Sequence, residues 1–493
     1  MRRLLLGLAL AVSAAAPALA GLRAAAGKVD VTPDLKTERT YMAGFGATGR
    51  RPRGVHDPLY ARLLVISDGK KTVALASFDL LGLYRNDVER LRKLSGFDSP
   101  DRYLLVAATH DHSGPDTLGL WGPMIGVSGA NLRYHARIEA AVAAKLKSLL
   151  GELRPARTRA VNAVLDPRGL CRDSRDPVVI DPYLGVLSVK GENGKAIATV
   201  INWSCHPEVL GPDNRLITAD FPGPLCDRVE EKTGGACLYL SGPIGGLMTP
   251  EVKRDNFYES YRVGTTVAEA ALGALAHAGI PGMANSSGPY VSVEVEQPLI
   301  PIENPRYLLF LPALAYGHDI LDAFGRPLPA WKRYWLPWRH LFFGLPESAR
   351  PWVRTEVSLV HIWAEGGNVA LLGMPGELFP ELVIGGYDGR YRFGHDLLTP
   401  GNPNPPDLSR APKAPFLWDQ MRTAPVRFVV GLANDELGYI VPTYDFKTRG
   451  NVSMLPRLPG HHYEETNSIG PSATGILVSA AEELLGVSGS AKR

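Results

Sequence analysis

The chain has 493 residues, of which 45% are hydrophobic and 21% charged, with a formal charge of +3 at pH 7. This is an ordinary globular composition, and charge so nearly balanced argues against a nucleic-acid partner, which needs a clustered basic face. Fifty-two glycines and 41 prolines imply many loops.

The chain begins "MRRLLLGLALAVSAAAPALA" (1–20). Two arginines, an apolar stretch and a closing Ala-Leu-Ala make a secretory signal peptide, cut after Ala20. Residues 21–493 are then expected as one exported domain, periplasmic or secreted, with a charge near +1 once Arg2 and Arg3 are gone. No later segment is long and apolar enough to span a bilayer. Cys171, Cys205, Cys226 and Cys237 contain no CxxC pair, which argues against a zinc ribbon. One or two disulfides or free buried thiols fit the four cysteines equally well.

Short, nearly continuous apolar runs read as strands covered on both faces. They are "TVALASFDLLGL" (72–83), "YLLVAATH" (103–110), "AIATVINWSCH" (196–206), "ACLYLSG" (236–242) and "VALLGMPGE" (369–377). Helical periodicity falls at 86–94, 133–153 and 256–279. The segment "RTEVSLVHIW" (354–363) alternates, as an antiparallel strand with one buried face does. The expected architecture is α/β: a layered core with a mixed β-sheet and flanking helices.

Several of these runs end in a ligand-type residue before a turn: Asp79, His110, His206 and Glu377. In layered α/β proteins, sites form beyond the carboxyl ends of strands, so a metal site is expected there. In "THDHSGP" (109–115), His110 and His112 would project to one side of an extended backbone, with Asp111 turned away. Neutral imidazoles so placed suit zinc, although two hydrogen-bonded loop histidines would look the same. His206 precedes Pro207 at another strand edge, and Glu377 follows a Met-Pro-Gly turn, placed at the start of a short helix. "ANDELGYIVPTYDF" (433–446) offers Tyr439 and Tyr444. "HHYEE" (461–465) is expected to flank the pocket or lie on the surface.

Residues 300–352 differ in texture. Trp331, Trp335, Trp338, Trp352, Tyr334, Phe342 and Phe343 stand among prolines and basic residues. They suit an insertion folded over the core, or an apolar lid making a peripheral membrane contact, with Lys332, Arg333 and Arg339 toward anionic headgroups.

Together these motifs resemble the neutral ceramidase family of zinc-dependent amidases. The family's Thr-His-Thr-His-Ser-Gly-Pro is similar to "THDHSGP", with Asp111 in place of Thr. "INWSCH" (201–206), "MPGE" (374–377), "NDELGYI" (434–440) and "YEETNSIGPSAT" (463–474) resemble later family segments in the same order, over roughly 25–485. The resemblance implies one Zn²⁺ per chain, held by His110, His206, Glu377 and Tyr439. It also implies a non-ligand His112 at the reacting group, and an N-acyl lipid as substrate. Where the family has Gly-Asp-Val-Ser-Pro, this chain has "GLMTP" (246–250), so Leu247 replaces an acid and Thr249 replaces a catalytic serine. The family's C-terminal immunoglobulin-like domain is expected to be missing. These departures leave two alternatives: an exported lipid- or envelope-binding protein with weak or no turnover, and a zinc hydrolase of another amide or ester. Gly114 and Pro115, standing where Asp and His are needed, argue against the metallo-β-lactamase pattern His-x-His-x-Asp-His.

Overall fold

The computed structural model describes residues 21–277, 290–304, 317–329, 331–332, 335–336, 339, 350–364, 367–447 and 462–487. The expected signal segment and most of the aromatic-rich stretch at 300–352 lie outside them.

Eight strands form the larger sheet: β1 (Arg23–Asp30), β2 (Tyr60–Ser67), β3 (Thr72–Phe78), β4 (Arg102–Ala108), β5 (Arg154–Val164), β6 (Tyr183–Gly191), β7 (Ala196–Trp203) and β8 (Ala236–Ser241). Their spatial order is β8-β7-β6-β5-β1-β2-β3-β4. Only the outer pairs, β3 with β4 and β7 with β8, run parallel. The other neighbours are antiparallel, so the sheet is mixed as expected.

A second sheet contains β9 (Val291–Glu296), β10 (Val357–Ala364), β11 (Gly367–Gly373) and β12 (Val426–Val430), in that order. Here β11 and β12 are parallel, and β9–β10 and β10–β11 are antiparallel.

The layering follows from side-chain alternation. Leu64, Leu75, Leu105, Val200 and Leu238 point inward from the large sheet and meet Val360, Ile362, Leu371 and Phe428 of the small one. Their neighbours on the opposite face, such as Leu63, Ala76 and Val106, pack under α1 (Arg85–Ser95) and α2 (Leu132–Gly151). Val186, Ile201 and Tyr239 pack under α3 (Pro222–Thr233) and α4 (Phe257–His277). On the outer face of the small sheet, Leu359 and Leu372 meet Leu477 and Ala481 of α5 (Ser472–Leu484). The result is helices, sheet, sheet, helix. Burying both faces explains why the strand runs read as unbroken apolar stretches.

Three helices match the periodicity in the sequence. No periodicity in the sequence marks α3, which opens on Pro222-Gly223-Pro224, although proline suits a first helical turn. The layers are pinned by Glu356, just before β10. Its carboxylate accepts hydrogen bonds from Arg92 at 2.7 and 2.9 Å, from Arg85, and from the Tyr103 hydroxyl at 2.8 Å. Burial opposes its charge, but the two guanidinium groups bring its pKa down to about 2.

All four cysteines are buried free thiols. Cys205 lies against Cys171, and Cys237 against Cys226.

Candidate metal centre

The loops that leave β4, β7, β11 and β12 at their carboxyl ends bring His110, His206, Glu377 and Tyr439 to one point between the two sheets. His110 takes a left-handed backbone, φ 69°, two residues past β4. That conformation costs a non-glycine residue on the order of 1 kcal/mol. The simple extended spacing expected for His110 and His112 is therefore replaced by a sharp corner, although their rings still lie 5.0 Å apart. The backbone N–H of His112 donates to the Pro207 carbonyl at 3.1 Å, which ties the first histidine motif to the second.

Glu377 does not stand at the start of a helix, contrary to the expectation from sequence. It belongs to a two-residue strand, Glu377–Leu378, paired in parallel with Tyr439–Ile440, and the helix Pro380–Ile384 begins beyond it. Tyr439 is brought there by Asn434, which stitches its loop onto β4. The Asn434 N–H donates to the Val106 carbonyl at 2.7 Å, and its Oδ1 accepts from the Val106 N–H at 3.0 Å.

The side chains converge. His206 Nε2 lies 3.0 Å from Glu377 Oε2, and His110 Nε2 lies 3.5 Å from the same oxygen. The Tyr439 hydroxyl lies beside the Glu377 carboxylate and favours its charged form. Both histidines donate Nδ1–H to backbone carbonyls at 2.9 Å, His110 to Leu81 and His206 to Met248. A carbonyl can only accept, so each Nε2 is left with a lone pair aimed at the common centre, the usual arrangement of a metal-binding imidazole. His110, His112 and His206 each offer a ring nitrogen within 4.8 Å of the others. All these residues are buried. The donor set of two tied imidazoles, one carboxylate and one phenol fits a divalent transition metal.

Electrostatics support that fit. Burial, helped by His206, lowers the pKa of His110 to about 4, and burial pushes His112 well below the ordinary imidazole value. Both rings are therefore neutral near pH 7, the form that coordinates metals. Burial opposes the charge on His206 and on Glu377. A protonated His206 ring would donate Nε2–H to Glu377, and that bond and the charge attraction outweigh burial and raise the histidine, while the attraction of His110 and the His206 bond lower the acid. Burial and the nearby Glu377 charge hold the Tyr439 phenol well above its ordinary value.

His112 stands at the edge of the centre, its ring 4.9 Å from Phe45. Gly44 passes so close that a Cβ there would lie 2.5 Å from the imidazole, and its φ of 94° admits only glycine comfortably. Thr249 does not line the cavity. Its hydroxyl donates to Glu208 Oε1 at 2.6 Å, and Glu208 Oε2 lies 3.5 Å from His112 Nδ1. Thr249 thus reaches the centre only through Glu208.

The centre opens into a cavity of about 70 Å³ lined by Leu81, Tyr84, Leu118, Leu120, Trp121 and Glu436, among others. Sequence reasoning missed both Glu208 and Glu436. The available signal was adjacency, since Glu208 follows His206 by two residues and Glu436 precedes Tyr439 by three. Burial and the Glu377 charge hold the Glu436 carboxyl well above the ordinary range, and its Oε2 has no hydrogen-bond partner among the described residues.

Other sequence candidates lie elsewhere. Asp79, expected at the same edge, is a buried partner of Arg62 and of the Tyr60 N–H. The reason is local: β2 and β3 are antiparallel neighbours, which places the end of β3 over the start of β2. Tyr444 packs on Tyr387, ring centroids 5.7 Å apart. His461 lies outside the described residues. His462 is buried against Glu465 at 2.8 Å, while Tyr463 lines the cavity, so "HHYEE" does flank the pocket.

Behind Tyr463 lies a buried charge cluster. One guanidinium, Arg175, donates to Glu464 at 2.7 Å, Glu465 at 2.9 and 3.0 Å, and Asp445 at 3.0 Å. Glu381 is nearby, and burial pushes its carboxyl up to about 8. A folded-state pKa above the unfolded value of about 4.3 means that stability is present below pH 4 and is lost as pH rises through 8. Glu381→Gln should therefore stabilise the protein at pH 7 and above by a few kcal/mol, at about 1.4 kcal/mol per pH unit, with no gain near pH 4. Urea unfolding at the two pH values reads this directly; an equal effect at both would remove burial of the charge as the cause.

No protein-family model matches the chain. A curated relative, the neutral ceramidase of Mycobacterium tuberculosis (strain ATCC 25618 / H37Rv), is 22% identical over 263 residues, which cover 45% of this chain and 40% of that protein. The match thus spans well under half of the relative's length. Among solved structures, the neutral ceramidase from Pseudomonas aeruginosa superposes with a TM-score of 0.62 at 16% identity, over 94% of this chain and 75% of that one. A ceramidase complexed with C2 gives 0.63 at 16% identity, with the same coverage. The chain has the neutral ceramidase fold. The architecture expected from the sequence and the family resemblance agree with this likeness.

Proposed function

We propose that the protein is a zinc-dependent hydrolase of the amide bond in an N-acylated lipid, exported from the cell. The observation that carries this reading is the pair of carbonyl-tied imidazoles whose Nε2 atoms converge on Glu377, with Tyr439 beside the same carboxylate. Zinc held by His110, His206, Glu377 and Tyr439 supplies Lewis acidity and a water acidified to a pKa of about 7.

The chain's own groups do the rest. Glu377 balances part of the ion's charge and fixes both histidines. His112, neutral and buried, is placed to hydrogen-bond the reacting carbonyl or the leaving amine. Glu208 backs its Nδ1, and Thr249 in turn holds Glu208. Leu118, Leu120 and Trp121 exclude water and receive apolar substrate atoms beside the scissile bond.

Stripping the purified protein with a chelator should abolish cleavage of a fluorogenic N-acyl lipid, and stoichiometric Zn²⁺ should restore it. Undiminished turnover in the stripped protein would overturn the reading.

A further inference from the structure

The cavity mouth is framed by a loop that no part of the proposed chemistry uses. After Leu120 and Trp121, which line the cavity, the chain makes a closed excursion and returns to Asn131, the cap of α2. Val127 N–H donates to the Met124 carbonyl at 3.0 Å, and Gly126 takes φ 78°, so the tip is a tight turn. That turn holds Met124 and Ile125 out in solvent, 64% and 75% exposed, with Val127 at 42%. An isolated exposed apolar residue needs no explanation, but three on one turn beside a cavity mark an interaction surface.

The exposed charge on the two segments that frame this tip is of one sign, since Asp116, whose carboxylate accepts from the Gly119 and Trp121 N–H groups, is buried. The loop is tied to residues 46–49 by Gly49 N–H to the Gly122 carbonyl at 2.8 Å and by Trp121 Nε1–H to the Gly46 carbonyl at 3.0 Å. Asn131 Nδ2 reaches the Arg39 carbonyl at 3.2 Å. Segments 39–56 and 117–133 contain no Asp or Glu. Arg39, Arg51 and Arg133 are exposed there, and Arg39 and Arg51 both lie over the Tyr41 ring, at 5.2 and 5.1 Å.

We infer that the 122–129 loop is a membrane-docking element: Met124 and Ile125 insert into the headgroup–acyl boundary of an anionic bilayer, and Arg39, Arg51 and Arg133 meet its phosphates. Shallow apolar insertion combined with basic flanks is how peripheral proteins hold to lipid, and the basic part depends on salt. Among the described residues no helix is long and apolar enough to cross a membrane, so the contact is with the surface. Docking would set the cavity mouth against the bilayer. The assignment differs from the one expected at 300–352 and does not depend on amide cleavage.

Co-sedimentation with vesicles of phosphatidylcholine containing 30% phosphatidylserine tests it. The full-length protein should bind these vesicles at low salt and bind pure phosphatidylcholine at least ten-fold more weakly. Met124→Glu/Ile125→Glu should lose at least ten-fold of the binding, with Met124→Ser/Ile125→Ser as a milder variant and circular dichroism as the folding check. Arg51→Ala/Arg133→Ala should weaken binding and flatten its salt dependence. Turnover of a water-soluble short-chain N-acyl substrate should stay unchanged in all of these variants, which separates failure of docking from failure of the hydrolase reading. The inference is overturned if the wild type does not sediment with anionic vesicles, or if both loop variants bind as it does. It is also overturned if light scattering shows a wild-type dimer that the loop variants make monomeric, which would give this face to a second copy of the chain.

Discussion

His206→Ala should leave a folded protein that binds little or no zinc and cleaves N-acyl lipids about 10³-fold more slowly or worse. Loss of a single transition-state donor costs about 10²–10³-fold, and on the proposed function loss of a ligand would remove the polarising ion as well. His206 is the ring most firmly placed. Its Nδ1–H is tied to Met248 at 2.9 Å, its Nε2 is 3.0 Å from Glu377, and it is wholly buried. Its removal also strands the Glu377 carboxylate, whose depressed pKa depends on the two histidines. Zinc content by mass spectrometry and initial rates give the two readouts. A variant that kept its ion and its rate would move the centre elsewhere.

The largest loss of stability should come from Arg175→Met. The Arg175 guanidinium faces Glu464, Glu465 and Asp445 in the interior and stacks 5.1 Å over Phe379. Removing one partner of a buried ion pair costs about 3–5 kcal/mol, because the remaining charge is stranded, and here three carboxylates share that partner. Arg175→Lys should recover only part of the loss, since a single ammonium cannot reproduce a planar fork reaching several acids. Denaturant unfolding of the three proteins decides this. A loss under about 1 kcal/mol would mean that the acids simply take up protons. Because Tyr463 and Asn467 line the cavity on either side of Glu464 and Glu465, the weakened variant should also bind substrate less well.

The parts legible in the sequence were those governed by local pattern. Continuous apolar runs in β3, β4, β7, β8 and β11 identified strands buried on both faces. Amphipathic spacing located α1, α2 and α4. Both histidine motifs stood out because imidazoles followed by Gly-Pro or Pro cannot continue a strand. What escaped depended on distant pairing. That Glu377 and Tyr439 are backbone partners, 62 positions apart, cannot be read from either segment. Nor can the fate of Asp79, which the antiparallel turn from β2 to β3 hands to Arg62. Glu208 and Glu436 read as ordinary acids until the fold buries them beside the centre, and α3 hides behind its Pro-Gly-Pro opening. Thr249, expected in a catalytic serine's place, does not line the cavity, and its partner is Glu208, an acid that the sequence does not single out.

The candidate ligands are shared between the two sheets: His110 and His206 hang from the eight-stranded one, Glu377 and Tyr439 from the four-stranded one. An ion seated among them would act as a rivet through the seam. Neither half alone supplies more than two of the four proposed ligands, so the full set forms only once the halves have closed on each other. The metal would then be acquired by an already assembled molecule, in whichever compartment assembly finishes, and it would lock the seam rather than nucleate it.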